Sequence, residues 1–348
     1  ASRAEPGDQR MTDQATKVLT LDAAAEADFI AGRIRSHLGK TLRRRGAVVA
    51  VSGGIDSAVT AALCAHAVGP NRVLAVMMPE RDSSPDTAEL SKLTVEHLGV
   101  RSVEADITST LESVGCYARR DEAYQMALPE YGEGWQAKIL LPSASLTSSM
   151  QRAEMIALSP EGREFRRTLP VEAYLQIVAA TNFKQRVRKM LEYYYADSEN
   201  YAVIGTANRL EYDQGFFVKV GDGAADMKPI AHLYKTQVYQ LAEYLDLPAA
   251  IRGREPTTDT YSLPQSQAEF FFDIPVEQFD VCLYGLNQRM DAVAISSLAG
   301  LDVEVVESVL ASIERKRRTT KYLHSRPLLA REVPEISAEL AGGDISET

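Results

Sequence analysis

Ala47-Val48-Val49-Ala50-Val51-Ser52-Gly53-Gly54-Ile55-Asp56-Ser57 is the stretch from which the architecture of this chain can be read. Its first five residues form an unbroken apolar run rich in β-branched side chains. Such a run suits a strand buried on both faces, as strands of a parallel sheet are. The glycine pair ends the strand, and residues 57–67 read as a helix. A second apolar run at 73–78 completes a β-loop-α-β unit. Further out, the spacing predicts a helix over 85–98, a short strand over 101–105, and a strand over 201–204 that runs into Gly205-Thr206. Before the loop, Ala25, Phe29, Ile30, Ile34, Leu38 and Leu42 recur at helical spacing and lead into Arg43-Arg44-Arg45, a basic end that suits a helix C-terminus. Helices are also expected over 235–245 and 301–313. This alternation predicts an α/β fold: a doubly wound, Rossmann-like parallel sheet flanked by helices.

The pattern blurs between residues 107 and 180, where Pro, Gly and Ser are scattered. A structureless loop of that length is unusual inside a domain, so we expect a long, mainly helical insertion or lid there. Residues 1–15 read as a disordered leader or a cloning remnant, 16–333 as one α/β domain, and 334–348 as a flexible tail.

Composition narrows the function classes. The chain has 348 residues, 45% hydrophobic and 25% charged, with a formal net charge of -10. An acidic surface repels nucleic-acid phosphates, so a nucleic-acid partner is not expected. No stretch of about 18 apolar residues is present, so no membrane span is expected. The three cysteines, Cys64, Cys116 and Cys282, are far apart and form no CxxC pair, which argues for a reducing, cytoplasmic setting.

The glycine loop carries the chemistry. Gly53 and Gly54 lack a Cβ, so backbone amides there can close around an anion. The helix that follows points its positive end the same way. Ser52 and Ser57 add hydroxyl donors. Asp56 has no use against a bare phosphate, but it makes sense as a ligand to Mg²⁺ beside one. No Lys follows the second glycine, so this is not a Walker loop, and GxGxxG is absent. The order strand, Ser-Gly-Gly-x-Asp-Ser, helix resembles the loop of the ATP pyrophosphatases, which split ATP to AMP and pyrophosphate.

Further blocks narrow the resemblance. Val203 to Glu211, Gly215 to Gly223 and on to Pro229 resemble the NAD synthetase family. So do Asn182-Phe183-Lys184-Gln185-Arg186-Val187-Arg188-Lys189-Met190, Leu233-Tyr234-Lys235-Thr236-Gln237, Glu255-Pro256-Thr257-Thr258-Asp259 and Lys316-Arg317-Arg318. The resemblance implies an ATP- and Mg²⁺-dependent ligase of the ammonia-using type. Such an enzyme activates nicotinic acid adenine dinucleotide as an acyl-adenylate and amidates it to NAD. It also implies roles. Ser52, Gly53, Gly54, Asp56, Ser57, Thr206, Lys235 and Thr257 would bind ATP. Asp56 and Glu211 would hold Mg²⁺. Lys235, Asp56 and Thr257 would serve catalysis. Lys219, Asp222, Asp226 and Lys316 would bind substrate. A homodimer seam is expected near residues 187–195. The segment before the loop is too short for a glutaminase, which implies free ammonia or a separate glutaminase partner.

The chain departs from the family pattern at Ala207-Asn208, where the family shows Asp-His or Thr-His. It departs again at Arg315, where the family has His, and in the length of 107–180. These differences leave open a second reading, a paralogous amide synthetase acting on another carboxylic acid.

Overall fold

Four parallel strands form the central sheet: β1 (Ala47–Ala50), β2 (Val73–Met77), β3 (Arg101–Glu104) and β7 (Ala202–Ile204), in the order β3-β2-β1-β7. The computed structural model describes residues 17–140, 153–254, 260–265, 274–331 and 333–334. β1 pairs with β2 from Ala47↔Val73 to Ala50↔Val76, and with β7 from Ala47↔Ala202 to Val49↔Ile204. Alternate residues of the apolar strands serve opposite faces, as a strand requires. Val49, Ala75 and Ile204 pack beneath α1 (Ala23–Ser36), α2 (Ile55–Val68) and α8 (Lys235–Tyr244). Val48, Leu74, Val76 and Val203 face Ile107, Leu111, Tyr117 and Val187 on the other side. Helices therefore cover both faces, which is why the β1 run needs no polar alternation. Only the edge strand β3 is largely exposed.

The helix over 85–98 is α3 (Pro85–Leu98), and that over 301–313 corresponds to α12 (Val303–Thr320), which starts two residues later and runs on further. The N-terminal helix ends at Ser36 and continues as a π-helical turn, His37–Thr41. Ile30, Ile34 and Leu38 are buried as the spacing predicts, but Phe29 is exposed.

The 107–180 insertion carries a small sheet beside its expected helices. It begins with α4 (Thr108–Ser113) and α5 (Cys116–Gln125) and ends in the long α6 (Val171–Glu199), but between them lies a three-stranded antiparallel sheet. Its strands are β4 (Gln136–Leu140), β5 (Glu154–Leu158) and β6 (Glu164–Thr168). Ser159 closes the β5–β6 turn: its N–H donates to Arg163 O, and its O accepts from Gly162 N–H, both at 2.9 Å. Ala137, Ile139, Met155 and Ala157 bury one face of this sheet against Tyr124, Leu128, Ile177 and Tyr261. Toward the C-terminus, α9 (Ala249–Arg252), α10 (Val276–Asn287) and α11 (Ala292–Ala299) precede α12. The expected leader and tail lie outside the described residues, apart from residue 334.

Candidate active site

The sheet order creates the site. The chain leaves β1 toward β2 on one side, while β7 lies on the other. At such a switch point the loops beyond the strand ends part and leave a crevice. The loop after β1 (52–54) and the loop after β7 (205–208) diverge there, above a cavity of about 710 Å³.

Ser52, Gly54, Asp56 and Ser57 all line the cavity. Ser57 is buried and braces the loop: its hydroxyl donates to Gly54 O at 2.8 Å and accepts from Ser52 N–H at 3.2 Å. Gly53 has φ +71°, and a Cβ there would stand 2.7 Å from Thr87 O. Only glycine fits both the left-handed backbone and that close approach to α3. Asp56 sits in the first turn of α2.

Asp56 is shared by two elements. One carboxylate oxygen accepts from the buried Lys235 ammonium, at the start of α8. The other accepts from Asn208 Nδ2 at 3.0 Å. Asn208 also caps α7 (Arg209–Gln214) in a reciprocal box. Its Oδ1 accepts from Glu211 N–H, and Glu211 Oε2 accepts from Asn208 N–H, both at 3.1 Å. One short side chain thereby sets the start of α7, fixes Glu211 and holds Asp56. The family departure at this position therefore keeps a polar contact at the site.

The charges of this corner are uneven. Burial, followed by the neighbouring Asp56 carboxylate, pushes the Glu211 carboxyl up to about 8, with Lys235 opposing. Burial acts against the Lys235 ammonium, but Asp56 and Glu211 outweigh it and hold its pKa above the ordinary lysine value. Behind Lys235, the fully buried Asp280 of α10 accepts from Thr236 N–H at 2.8 Å. Burial pushes the Asp280 carboxyl up to about 7.

Thr206, Glu211, Asp222, Lys235 and Lys316 line the same cavity as the glycine loop. Two expected substrate contacts stand elsewhere. Lys219 donates to Tyr322 O at 2.7 Å, and Asp226 accepts from Val203 N–H at 2.8 Å, which ties a loop to β7. Neither belongs to the cavity wall. Thr257 lies outside the described residues. Sequence reasoning missed Asn208 as a positive feature, although Asn-x-x-Glu ahead of a helix is a capping-box signature. It also missed Asp280, whose signal was a lone acid between Phe279 and Val281. Arg188, Lys189, Glu192 and Arg254, which also line the cavity, had no assigned role.

A parallel sheet with its glycine loop and paired carboxylates at the switch point defines a nucleotide-splitting α/β enzyme of the ATP pyrophosphatase type. Comparison with known proteins narrows the class: the sequence matches the NAD synthase family over residues 27–129 and 143–322, and the chain belongs to that family. It is 49% identical over 94% of its length to a protein from Rhizobium meliloti named NH(3)-dependent NAD(+) synthetase, 98% of which is covered. A protein of the same name from Mesorhizobium japonicum is 50% identical over 91% of this chain and 100% of its own. Among solved structures, an NMN synthetase from Francisella tularensis shares the fold, with a TM-score of 0.62 and 20% identity over 90% of this chain and all of its own. An NH3-dependent NAD synthetase from Campylobacter jejuni gives a TM-score of 0.58 and 21% identity over 89% and 100%.

Proposed function

We infer that this chain is an ammonia-dependent NAD synthetase. In this reading it converts nicotinic acid adenine dinucleotide, ATP and ammonia to NAD, AMP and pyrophosphate. The observation that carries the reading is the Asp56–Lys235–Glu211–Asn208 corner, set beside the glycine loop in a cavity large enough for extended substrates. The names of the relatives near 50% identity support the choice of acid.

The chemistry follows from the arrangement. Backbone amides of the 52–54 loop and the N-terminus of α2 receive the ATP phosphates. A carboxylate oxygen of the dinucleotide attacks the α-phosphorus. The bond from the α-phosphorus to the bridging oxygen breaks, and pyrophosphate leaves with that electron pair. Lys235 and Lys316 lie where they can stabilise the charge that gathers on the phosphates. Ammonia then attacks the carbonyl carbon, the bond to AMP breaks, and the nitrogen loses a proton. Asp222, which lines the same cavity, is the residue assigned to the acid substrate.

Asp56 and Glu211 fit a Mg²⁺ ion: both are hard oxygen donors, and the two carboxylates share one lysine, a balance that a divalent cation would relieve. Bound there, Mg²⁺ would supply Lewis-acid stabilisation of phosphate charge. Met190 and Tyr194 are exposed one turn apart on α6, within the stretch expected at the dimer seam, and support a homodimer through that helix.

The direct test is product analysis of purified protein with the acid dinucleotide, ATP, Mg²⁺ and ammonium. NAD and AMP should form in equal amounts. Folded protein that yields no NAD under these conditions overturns the reading. Lys235→Met should lower kcat roughly a hundred- to thousandfold, as removal of a transition-state contact commonly does.

A further inference from the structure

Two buried ionic assemblies touch the cavity, and they differ in what they connect. Lys184 on α6 donates to Glu80 Oε1 at 2.7 Å, Asp82 Oδ2 at 2.8 Å and Thr260 O at 3.1 Å. Tyr117 and Arg120 of α5 join the same carboxylates. That assembly ties the loop after β2 to α5, α6 and the 260–265 segment, so the fold itself accounts for it.

The second assembly has no such explanation. Lys189 and Glu192 stand three residues apart on α6, and the Lys189 ammonium donates to Glu192 Oε2 at 2.7 Å. Both residues are buried, at 5% and 3% exposure, and both line the cavity. A pair within one helix joins no second element. A buried ion pair also carries a desolvation cost that packed apolar side chains avoid, so it is weak evidence for stability. An ammonium has three donors. Among the described residues, the only hydrogen bond made by Lys189 Nζ is the one to Glu192.

The surroundings favour an anion facing that ammonium. Asp222 lies next to the pair, and its Oδ1 is taken by Val218 N–H at 2.7 Å. Lys228 also stands by Asp222, donating to its backbone O at 3.5 Å, with its ammonium 5.4 Å from the Tyr212 ring centre and 5.0 Å from that of Phe217. Burial pushes both the Glu192 and Asp222 carboxyls above the usual range, and the Lys189 ammonium opposes that shift in each.

We propose that Lys189, steadied by Glu192, is a specificity-determining residue that donates to a carboxylate oxygen of the acid substrate and so favours the acid over its amide product. The inference rests on the functional reading above and adds the residue that tells substrate from product. A charged donor gains from a carboxylate what it cannot gain from a neutral amide.

The test uses the full chain and compares wild type with Lys189→Met, Lys189→Arg and Glu192→Gln. The measured quantities are KM for nicotinic acid adenine dinucleotide, KM for ATP, and the inhibition constant of NAD. Lys189→Met should raise the dinucleotide KM roughly ten- to hundredfold while ATP KM stays within about twofold. NAD inhibition should change little, so the preference for acid over amide collapses. Lys189→Arg should restore part of that preference, and Glu192→Gln should weaken it less than Lys189→Met does. An unchanged acid-over-amide preference in the Lys189 variants overturns the inference, as does a parallel rise of both KM values, which would mark a structural role. If Lys189→Met fails to fold, the arginine and Glu192 variants decide by the same ratio. Wild type that makes no NAD overturns the functional reading and this inference with it. Wild type that makes NAD, with variants of unaltered preference, overturns the inference alone.

Discussion

Where β7 turns into α7, the Asn208 side chain accepts from Glu211 N–H and donates to Asp56. Replacement by Ala removes an N-cap, which costs about 1 kcal/mol of stability, and it also releases one oxygen of Asp56. Asn208→Ala should therefore show a modest loss in denaturant unfolding and a larger loss in kcat, with dinucleotide KM little changed. Asp280 makes a different prediction, one that concerns pH. Its carboxyl titrates at about 7 in the folded chain against an ordinary 3.8, because burial disfavours the charge. The unfolded state therefore sheds this proton first. The stability that goes with the neutral form is complete below about pH 4 and is lost as pH rises through about 7. The shift corresponds to at most about 4 kcal/mol. Melting temperatures of wild type and Asp280→Asn, measured from pH 4 to 8, should diverge: wild type falls relative to the variant as pH rises. Parallel curves would refute the assignment.

The long helix α6 packs on one face of the sheet through Val187 and Ala196, and Lys184 ties it to Glu80, Asp82 and Thr260. Removing one partner of a buried ionic group commonly costs about 3–5 kcal/mol because the others are left uncompensated. Lys184→Met should reach that range in urea unfolding. At this scale the sequence was unevenly legible. The β1, β2 and β7 runs were readable because strands buried on both faces cannot tolerate polar residues, so their apolar runs stand out. The antiparallel sheet of the insertion was not. Gln136-Ala-Lys-Ile-Leu alternates weakly, and Glu164-Phe-Arg-Arg-Thr carries a single apolar residue. Such strands exist through pairing with β5 and burial against Tyr124 and Tyr261, neither of which is local information. The candidate site divides along the same line. The glycine loop announces itself through short-range chemistry. Lys189 and Glu192 acquire meaning only when α6 brings them to the cavity, and Asp280 only when α10 brings it behind Lys235. Lys219 and Asp226 show the converse, since sequence adjacency to Asp222 did not place them on the cavity wall.

At the scale of the whole molecule, two surfaces matter. Met190 and Tyr194 expose 56% and 63% of their surface on α6, in the stretch proposed as the dimer seam. Replacing both with Glu should shift sedimentation toward the monomer if α6 forms the dimer seam. The second surface is internal, where the end of α12 seats on the loop that follows α7. Arg317 donates to both oxygens of Asp213, at 2.7 and 2.6 Å, and to Asn287 Oδ1 at 2.7 Å. Gly215, with φ +69°, leaves room for Thr320, whose Cβ would stand 2.4 Å from an added methyl. Gly215→Ala should therefore unseat the helix end as well as strain the turn, and should raise KM for ATP several-fold as Lys316 loses its place.

That seat has a thermodynamic consequence. Lys316 rides on α12, while Phe216, Val218 and Asp222 belong to the loop on which α12 rests, and all four line one cavity. A ligand that draws Lys316 inward therefore pulls on the walls that meet the other ligand. Binding free energies linked in this way are reciprocal: the factor by which ATP tightens the acid must equal the factor by which the acid tightens ATP. Calorimetric titrations in both orders, with an α,β-methylene ATP analogue that cannot release pyrophosphate, should return one coupling constant, and loosening the seat through Arg317→Ala should drive it toward unity from both directions at once.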